Sequence, residues 1–138
     1  MQQEGTFASP SDRADTRSPR GDLFDPACAT RDLLDRIGSK WTVLIMLRLS
    51  QSGETRFAEL RRQAEGISQK MLASTLKSLE QDGLVTRRVD ATATPPHVHY
   101  SLTTLGTSLT PLLGQLKEWA EENMSLIDTH RARYTRPV

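Results

Sequence analysis

A single cysteine, Cys28, in 138 residues rules out an internal disulfide and a cysteine-rich zinc centre. Long apolar runs are also missing. None approaches the roughly 18–20 residues of a membrane span, so no membrane association is expected. Met1–Pro10 lacks a basic stretch followed by an apolar one, so no secretory signal is visible and the cytoplasm is the expected compartment. Neither sign of charge dominates. Lys and Arg number 18 against 17 Asp and Glu, for a net charge of +1, which excludes both a polybasic tail and an acidic solvating chain. Aromatic residues are only 5% and hydrophobic residues 36%, so part of the length is expected to lie outside any packed core.

What remains is one domain's worth of chain. Residues 1–22 hold Pro, Gly, Ser and mixed charge with little to bury, and are expected to be disordered. Residues 131–138 form a basic tail, which leaves a working domain over 23–130. Asp25-Pro26 reads as a helix start and Gly38 as its stop. A second helix from Ser39-Lys40 is apolar nearly all round, through Trp41, Leu44, Met46 and Leu49, and should be buried. Thr55–Phe57 is extended at most. A short helix carries Phe57, Leu60 and Ala64 at i, i+3, i+7 and ends at Glu65-Gly66.

Ser68 then caps a helix over 69–81, whose apolar set is Met71, Leu72, Leu76 and Leu79, stopped by Asp82-Gly83. Two strands follow, Leu84–Val89 and His97–Leu102, joined by a stiff polar loop over 90–96. In the second, Val98, Tyr100 and Leu102 alternate with His97, His99 and Ser101, the period of a half-buried strand. The last helix is expected from Thr103 to about Asp128. Leu105, Leu109, Leu112, Leu116 and Trp119 run at spacings of 4, 3, 4, 3 along it, with Pro111 predicted to kink it or delay its start.

Two short helices joined by a tight glycine-containing turn, Glu65-Gly66-Ile67, read as a helix-turn-helix, and the hairpin after them as a wing. The fold class is thus mainly α with a small β component: a winged helix-turn-helix with an added N-terminal helix and a long C-terminal helix for dimerisation. Gln69, Lys70, Ala73, Ser74 and Lys77 lie opposite the apolar face of the second helix. Small and amide side chains admit the backbone to a major groove, Gln can read adenine, and Ser can bond a base edge or a phosphate. Lys70 and Lys77, with Arg56, Arg61 and Arg62 from the preceding region, can neutralise phosphates. Arg87 and Arg88 lie on the wing, and one of them must point away from the sheet core. For every one of these residues the plain alternative is an ordinary solvated surface, and for Arg61 and Arg62 a pairing with Glu59 or Glu65.

Several stretches together resemble one known family. These are Cys28, Asp35–Thr42, Arg56–Arg62, Gly66–Leu72, Leu79–Arg87, Pro95-Pro96, and Tyr100–Thr103 with Gly106. In one register over about residues 25–125 the chain resembles the HxlR family, within the MarR-like bacterial winged-helix regulators. The resemblance implies a homodimeric transcriptional regulator, such as a repressor, on a pseudo-palindromic double-stranded DNA operator. The Ser68–Lys77 helix would read bases and the 87–97 wing would grip the flank. One departure is His97, where the family often carries Arg or Lys. The apolar stripe itself also asks for a partner, since a small winged domain cannot cover it. A two-fold dimer would set its recognition helices about 34 Å apart.

For Cys28 two readings stand side by side: a small buried hydrophobe, or a sensor. In the first turn of a helix begun at Asp25, exposed N–H groups would favour a negative sulfur, with Arg31 helping and Asp25 opposing. The resemblance adds that some family members sense oxidants, quinones or aldehydes at such a cysteine. The modified form would be an intersubunit disulfide, a mixed disulfide or an adduct. His97 and His99 place two imidazoles on one strand face, with Asp90 the nearest acid. A metal site needs more ligands than two, so no metal and no cofactor are assigned. No nucleophile–base pair or glycine-rich phosphate loop points to an enzyme. Alternatives to a cysteine switch are a non-covalent ligand, a metal, or a winged-helix adaptor that binds protein.

Overall fold

The computed structural model describes residues 22–26 and 28–137. Apart from Asp22, the segment expected to be disordered lies outside the described residues. The chain divides into two units at Thr42/Val43, inside a helix.

In the first unit Asp25 does not cap the helix as expected, and Asp22 opens a run of turns instead. Its carboxylate accepts from Phe24 N at 3.1 Å and its carbonyl from Asp25 N at 3.0 Å, and Cys28 N then bonds the Asp25 carbonyl at 2.9 Å. These turns delay the helix, so α1 is Ala29–Ile37 with Cys28 at its N-cap (φ −71°, ψ 124°) and not inside its first turn. None of the nine residues of α1 is buried, and Leu33 and Leu34 are exposed. Ser39 starts α2 (Lys40–Ser52) by accepting from Thr42 N at 3.3 Å.

The second unit holds most of the core. Ile45, Met46 and Leu49 of α2 are buried, but Leu44 is exposed, so α2 is buried on one side and not all round. β1 (Thr55–Arg56) leads directly into α3 (Phe57–Gln63), where Leu60 is buried. The turn after it carries Gly66 at φ 97°. Ser68 Oγ accepts from Met71 N at 3.0 Å and caps α4 (Gln69–Gln81). Leu72, Thr75, Leu76 and Leu79 form its inner face. Met71 is 45% exposed, against expectation, because it lies about 100° round the helix from Leu72. Thr75 falls between Leu72 and Leu79 on the inner side and takes the place expected of Met71.

α4 closes with two nested bonds, Leu84 N to Leu79 O (2.9 Å) and Gly83 N to Glu80 O (3.0 Å), around Gly83 at φ 76°. Leu84 is thereby committed to the helix end, so β2 begins one residue later than expected, at Val85, and runs to Asp90. β3 (His97–Leu102) is the centre of a three-stranded antiparallel sheet ordered β1-β3-β2. Its register pairs Arg87 with Tyr100, Arg88 with His99 and Asp90 with His97. Residues paired directly across strands share a face. One face therefore carries Val85, Arg87, Val98 and Tyr100, and the other Thr86, Arg88, Asp90, His97, His99 and Ser101, as the alternation in β3 predicts.

Thr103 joins the hairpin to the last helix. Its hydroxyl donates to Gly83 O (2.6 Å) and accepts from Gly106 N (3.0 Å). A side chain at Gly106 would place Cβ 2.1 Å from the Leu84 carbonyl oxygen, so only glycine permits this approach. α5 is Thr104–Arg133, 30 residues or about 45 Å. It passes through Pro111 as one continuous helix. The Thr107 carbonyl, which loses its helical donor to proline, accepts from Thr110 Oγ1 at 3.0 Å instead. The helix also outruns its expected end near Asp128. His130, Arg131 and Arg133 occupy its last turn, where positive charge favours a helix C-terminus.

Candidate nucleic-acid interface

The outer face of α4 presents Gln69, Lys70, Ala73, Ser74 and Lys77, all exposed and opposite the buried leucines. Gln69 is steadied by α3: Arg61 Nη1 donates to its Oε1 at 3.3 Å. Ser68, also exposed, is already engaged as the cap, so its hydroxyl oxygen serves the backbone first.

The arginines sort themselves by their partners. Arg62 is held by Glu59 through both its Nε and its Nη2, and Gln63 adds a bond to the same carboxylate at 2.8 Å. The contact lowers the Glu59 pKa and raises that of Arg62. Arg88 is held by Glu54 through two bonds of 2.9 Å, which lowers the Glu54 pKa through the hydrogen bond first and the charge second. Among the described residues, Arg56, Lys70, Lys77 and Arg87 meet no carboxylate. Of the two wing arginines, Arg88 stands on the polar face and Arg87 on the face of Tyr100, where it is exposed.

Two shallow clefts link Arg56 and Arg87 with Arg61, Arg62 and Gln69, while Lys70, Ser74 and Lys77 line neither. One, of about 440 Å³, lies between the start of α3 and the hairpin, with Arg56, Arg87, Pro95, Pro96 and His97 on its walls. The other, of about 540 Å³, takes in Arg61, Arg62 and Gln69. Phe57 and Ala58 line both, so one surface runs from α4 across the start of α3 to the hairpin. On the polar face of the hairpin, Asp90 Oδ1 accepts from Thr92 N (3.1 Å) and Thr92 Oγ1 (2.6 Å), and these bonds lower its pKa. Sequence reasoning named Asp90 only as the nearest acid to the two histidines, and missed the Glu54–Arg88 clasp. Cys28 is 2% exposed, at the N-cap of α1.

A helix-turn-helix followed by a hairpin, with a continuous surface joining the second helix to the wing, is now matched by the comparison with known proteins. The HxlR-like helix-turn-helix family matches residues 36–128. The chain belongs to that family. An uncharacterized HTH-type transcriptional regulator of Escherichia coli K12, YtfH, is 43% identical over 104 residues, 75% of this chain and 81% of that one. The solved ytfH transcriptional regulator of Salmonella typhimurium has 42% identity and a TM-score of 0.77, over 82% of this chain and 99% of that one. The redox regulator HypR in its oxidized form has 43% identity and a TM-score of 0.62, over 70% and 97% of the two chains.

This HxlR-like protein is therefore a winged helix-turn-helix transcriptional regulator with a DNA-binding domain, and not an enzyme. No helix among the described residues is long and apolar enough to cross a membrane.

Proposed function

We propose that this HxlR-like regulator works in the cytoplasm as a homodimer on a pseudo-palindromic operator, α4 reading bases and the hairpin gripping the flank. The observation that carries this reading is the set of cations that meet no carboxylate among the described residues: Arg56 just before α3, Lys70 and Lys77 on the outer face of α4, and Arg87 on the wing. Gln69 and Ser74 stand among them as base-reading candidates, Ser68 sets the start of the helix, and Arg88 and His97 complete the wing. The second copy would cover the exposed leucines and tryptophan of α5.

The test is binding to the intergenic DNA beside the protein's own gene across a salt series. Salt-dependent, sequence-specific binding is expected. Weak binding with little salt dependence would favour a protein-interaction adaptor.

We further propose that modification of Cys28 by an oxidant, quinone or aldehyde releases the operator. The 43% identity to a redox regulator supports this, as does the position of Cys28 at the N-cap of a helix that buries none of its own residues. Such a helix opens locally at low cost, which gives a reagent access to a buried thiol. Cys28→Ser is expected to bind DNA normally and to ignore the oxidant. Normal release in that variant would favour a non-covalent ligand.

A further inference from the structure

The sequence offers two imidazoles on one strand face, and the sheet register supplies a third ligand. Asp90 lies directly opposite His97, and His99 follows two residues on along the same face. One ligand atom from each of Asp90, His97 and His99 lies within 4.8 Å of the other two, and all three side chains are half-buried. The His97 and His99 rings stand 6.4 Å apart, edge to face. We propose that Asp90, His97 and His99 form a site for a divalent first-row transition cation at the base of the wing loop.

Two imidazole nitrogens and a carboxylate oxygen suit zinc and its neighbours, and not calcium or magnesium, which take oxygen donors. Ligand atoms on a tetrahedral zinc stand about 3.3 Å apart, given bond lengths of about 2.0–2.2 Å. The three side chains thus need to close by about 1–1.5 Å, within reach of their own torsions on a fixed pair of strands. Thr92 already orients the carboxylate by binding Oδ1 twice, as outer-shell partners of metal ligands do. Nearby cations weigh against an ion, but Arg88 is neutralised by Glu54, and Arg56, on the same face, is exposed to solvent. Three protein ligands leave at least one coordination position for water, so the site is exchangeable and not a structural zinc knot.

Asp90 and His97 form the last pair before the loop over 91–96, and Pro95, Pro96 and His97 share a cleft with Arg87. A bound dication adds positive charge where the hairpin is expected to meet DNA. This regulatory consequence rests on the operator reading. The metal site does not.

The decisive experiment is calorimetric titration of the full chain with zinc in the absence of DNA. One zinc per chain is expected. His97→Ala and His99→Ala should each weaken it at least tenfold, Asp90→Asn should weaken it measurably, and Cys28→Ser should leave it unchanged. A His97→Gln/His99→Gln double variant, checked for native circular dichroism, guards against loss of fold. Undiminished binding in that double variant, loss of binding in Cys28→Ser, or no zinc uptake by the wild type would each overturn the site. Because DNA is left out, failure here is distinct from failure of the operator reading. Zinc added to the protein–DNA complex should then tighten binding in the wild type and not in the double variant.

Discussion

Arg88 is clasped by Glu54, 34 residues away in sequence, through two hydrogen bonds of 2.9 Å, while its neighbour Arg87 meets no carboxylate among the described residues. The two arginines stand on opposite faces of one strand and are not equivalent as phosphate ligands. Arg87→Ala is expected to weaken operator binding and to reduce the salt slope by about 1. Arg88→Ala should cost less, and Glu54→Gln, which releases Arg88, should tighten binding. Fluorescence anisotropy over a salt series measures all three. Equal losses from the two arginine variants would contradict this assignment.

The same clasp fixes a pH dependence. The Glu54 carboxyl is held below its ordinary value of 4.5, chiefly by the hydrogen bond from Arg88. A depressed folded-state pKa means that the pair's contribution is fully present above the unfolded value and is lost as pH falls through the folded one. The expected outcome is a Glu54 titration midpoint below 4.5 by NMR, returning towards 4.5 in Arg88→Ala. A wild-type midpoint at or above 4.5 would show that the clasp does not persist in solution.

Ser68 serves the helix before it serves a ligand. Removing its cap in Ser68→Ala should cost about 1 kcal/mol of stability, measured by urea unfolding. Asp caps as well as Ser does, so Ser68→Asp should keep the stability. It should nevertheless abolish DNA binding, because it sets a carboxylate at the edge of the surface proposed to face phosphate. Retained DNA affinity in a stable Ser68→Asp protein would move the interface away from the start of α4.

Local signals carried the helix boundaries where a residue type has one job. Ser68 and Thr103 cap as their hydroxyls suggest, and Asp82-Gly83 closes α4 because Gly83 accepts φ 76°. The start of α1 was less legible, since Asp25-Pro26 carries the residue types of a helix start, yet turns from Asp22 to Cys28 precede the helix and no side chain caps it. Hydrophobicity ranked Met71 above Thr75 for the core, but the rotation of the helix puts Thr75 inside. The exposed outer face of α4 was readable from the helix period. The pairing of Arg62 with Glu59, three residues away, was readable too, but that of Arg88 was not, because Glu54 and Arg88 meet only through the fold. Likewise Asp90 joins the histidines only once strand register is set.

Thr110 and Pro111 form a compensating pair. The Thr110 hydroxyl serves the carbonyl of Thr107 that proline leaves without an N–H donor. Thr110→Val should destabilise by about 1 kcal/mol. Pro111→Ala should stabilise, because it restores the donor and raises helix propensity. In the Pro111→Ala background the cost of Thr110→Val should shrink, since the restored backbone N–H supplies the missing bond. A double-mutant cycle by chemical unfolding gives the coupling directly, and an additive result would mean that the hydroxyl does not replace the lost bond.

The last relationship concerns spacing along α5. Leu105, Leu112, Trp119 and Leu126 recur every seven residues and are all exposed, with Leu116 beside them. Of the whole helix, only Gly106, Thr110 and Leu113 are buried, so the exposed stripe does nothing for the fold of the single chain. Its expected use is the seam of a dimer, with heptad spacing matching a helix–helix contact. Leu112→Glu and Trp119→Glu together should therefore leave helix content nearly unchanged, yet yield a monomer by sedimentation velocity. Losing the second recognition helix should then lower operator affinity by about 10²–10⁴-fold, the usual contribution of a linked second site. A wild-type chain that sediments as a monomer at every concentration would remove the seam. A dimer that survives both substitutions would place it elsewhere.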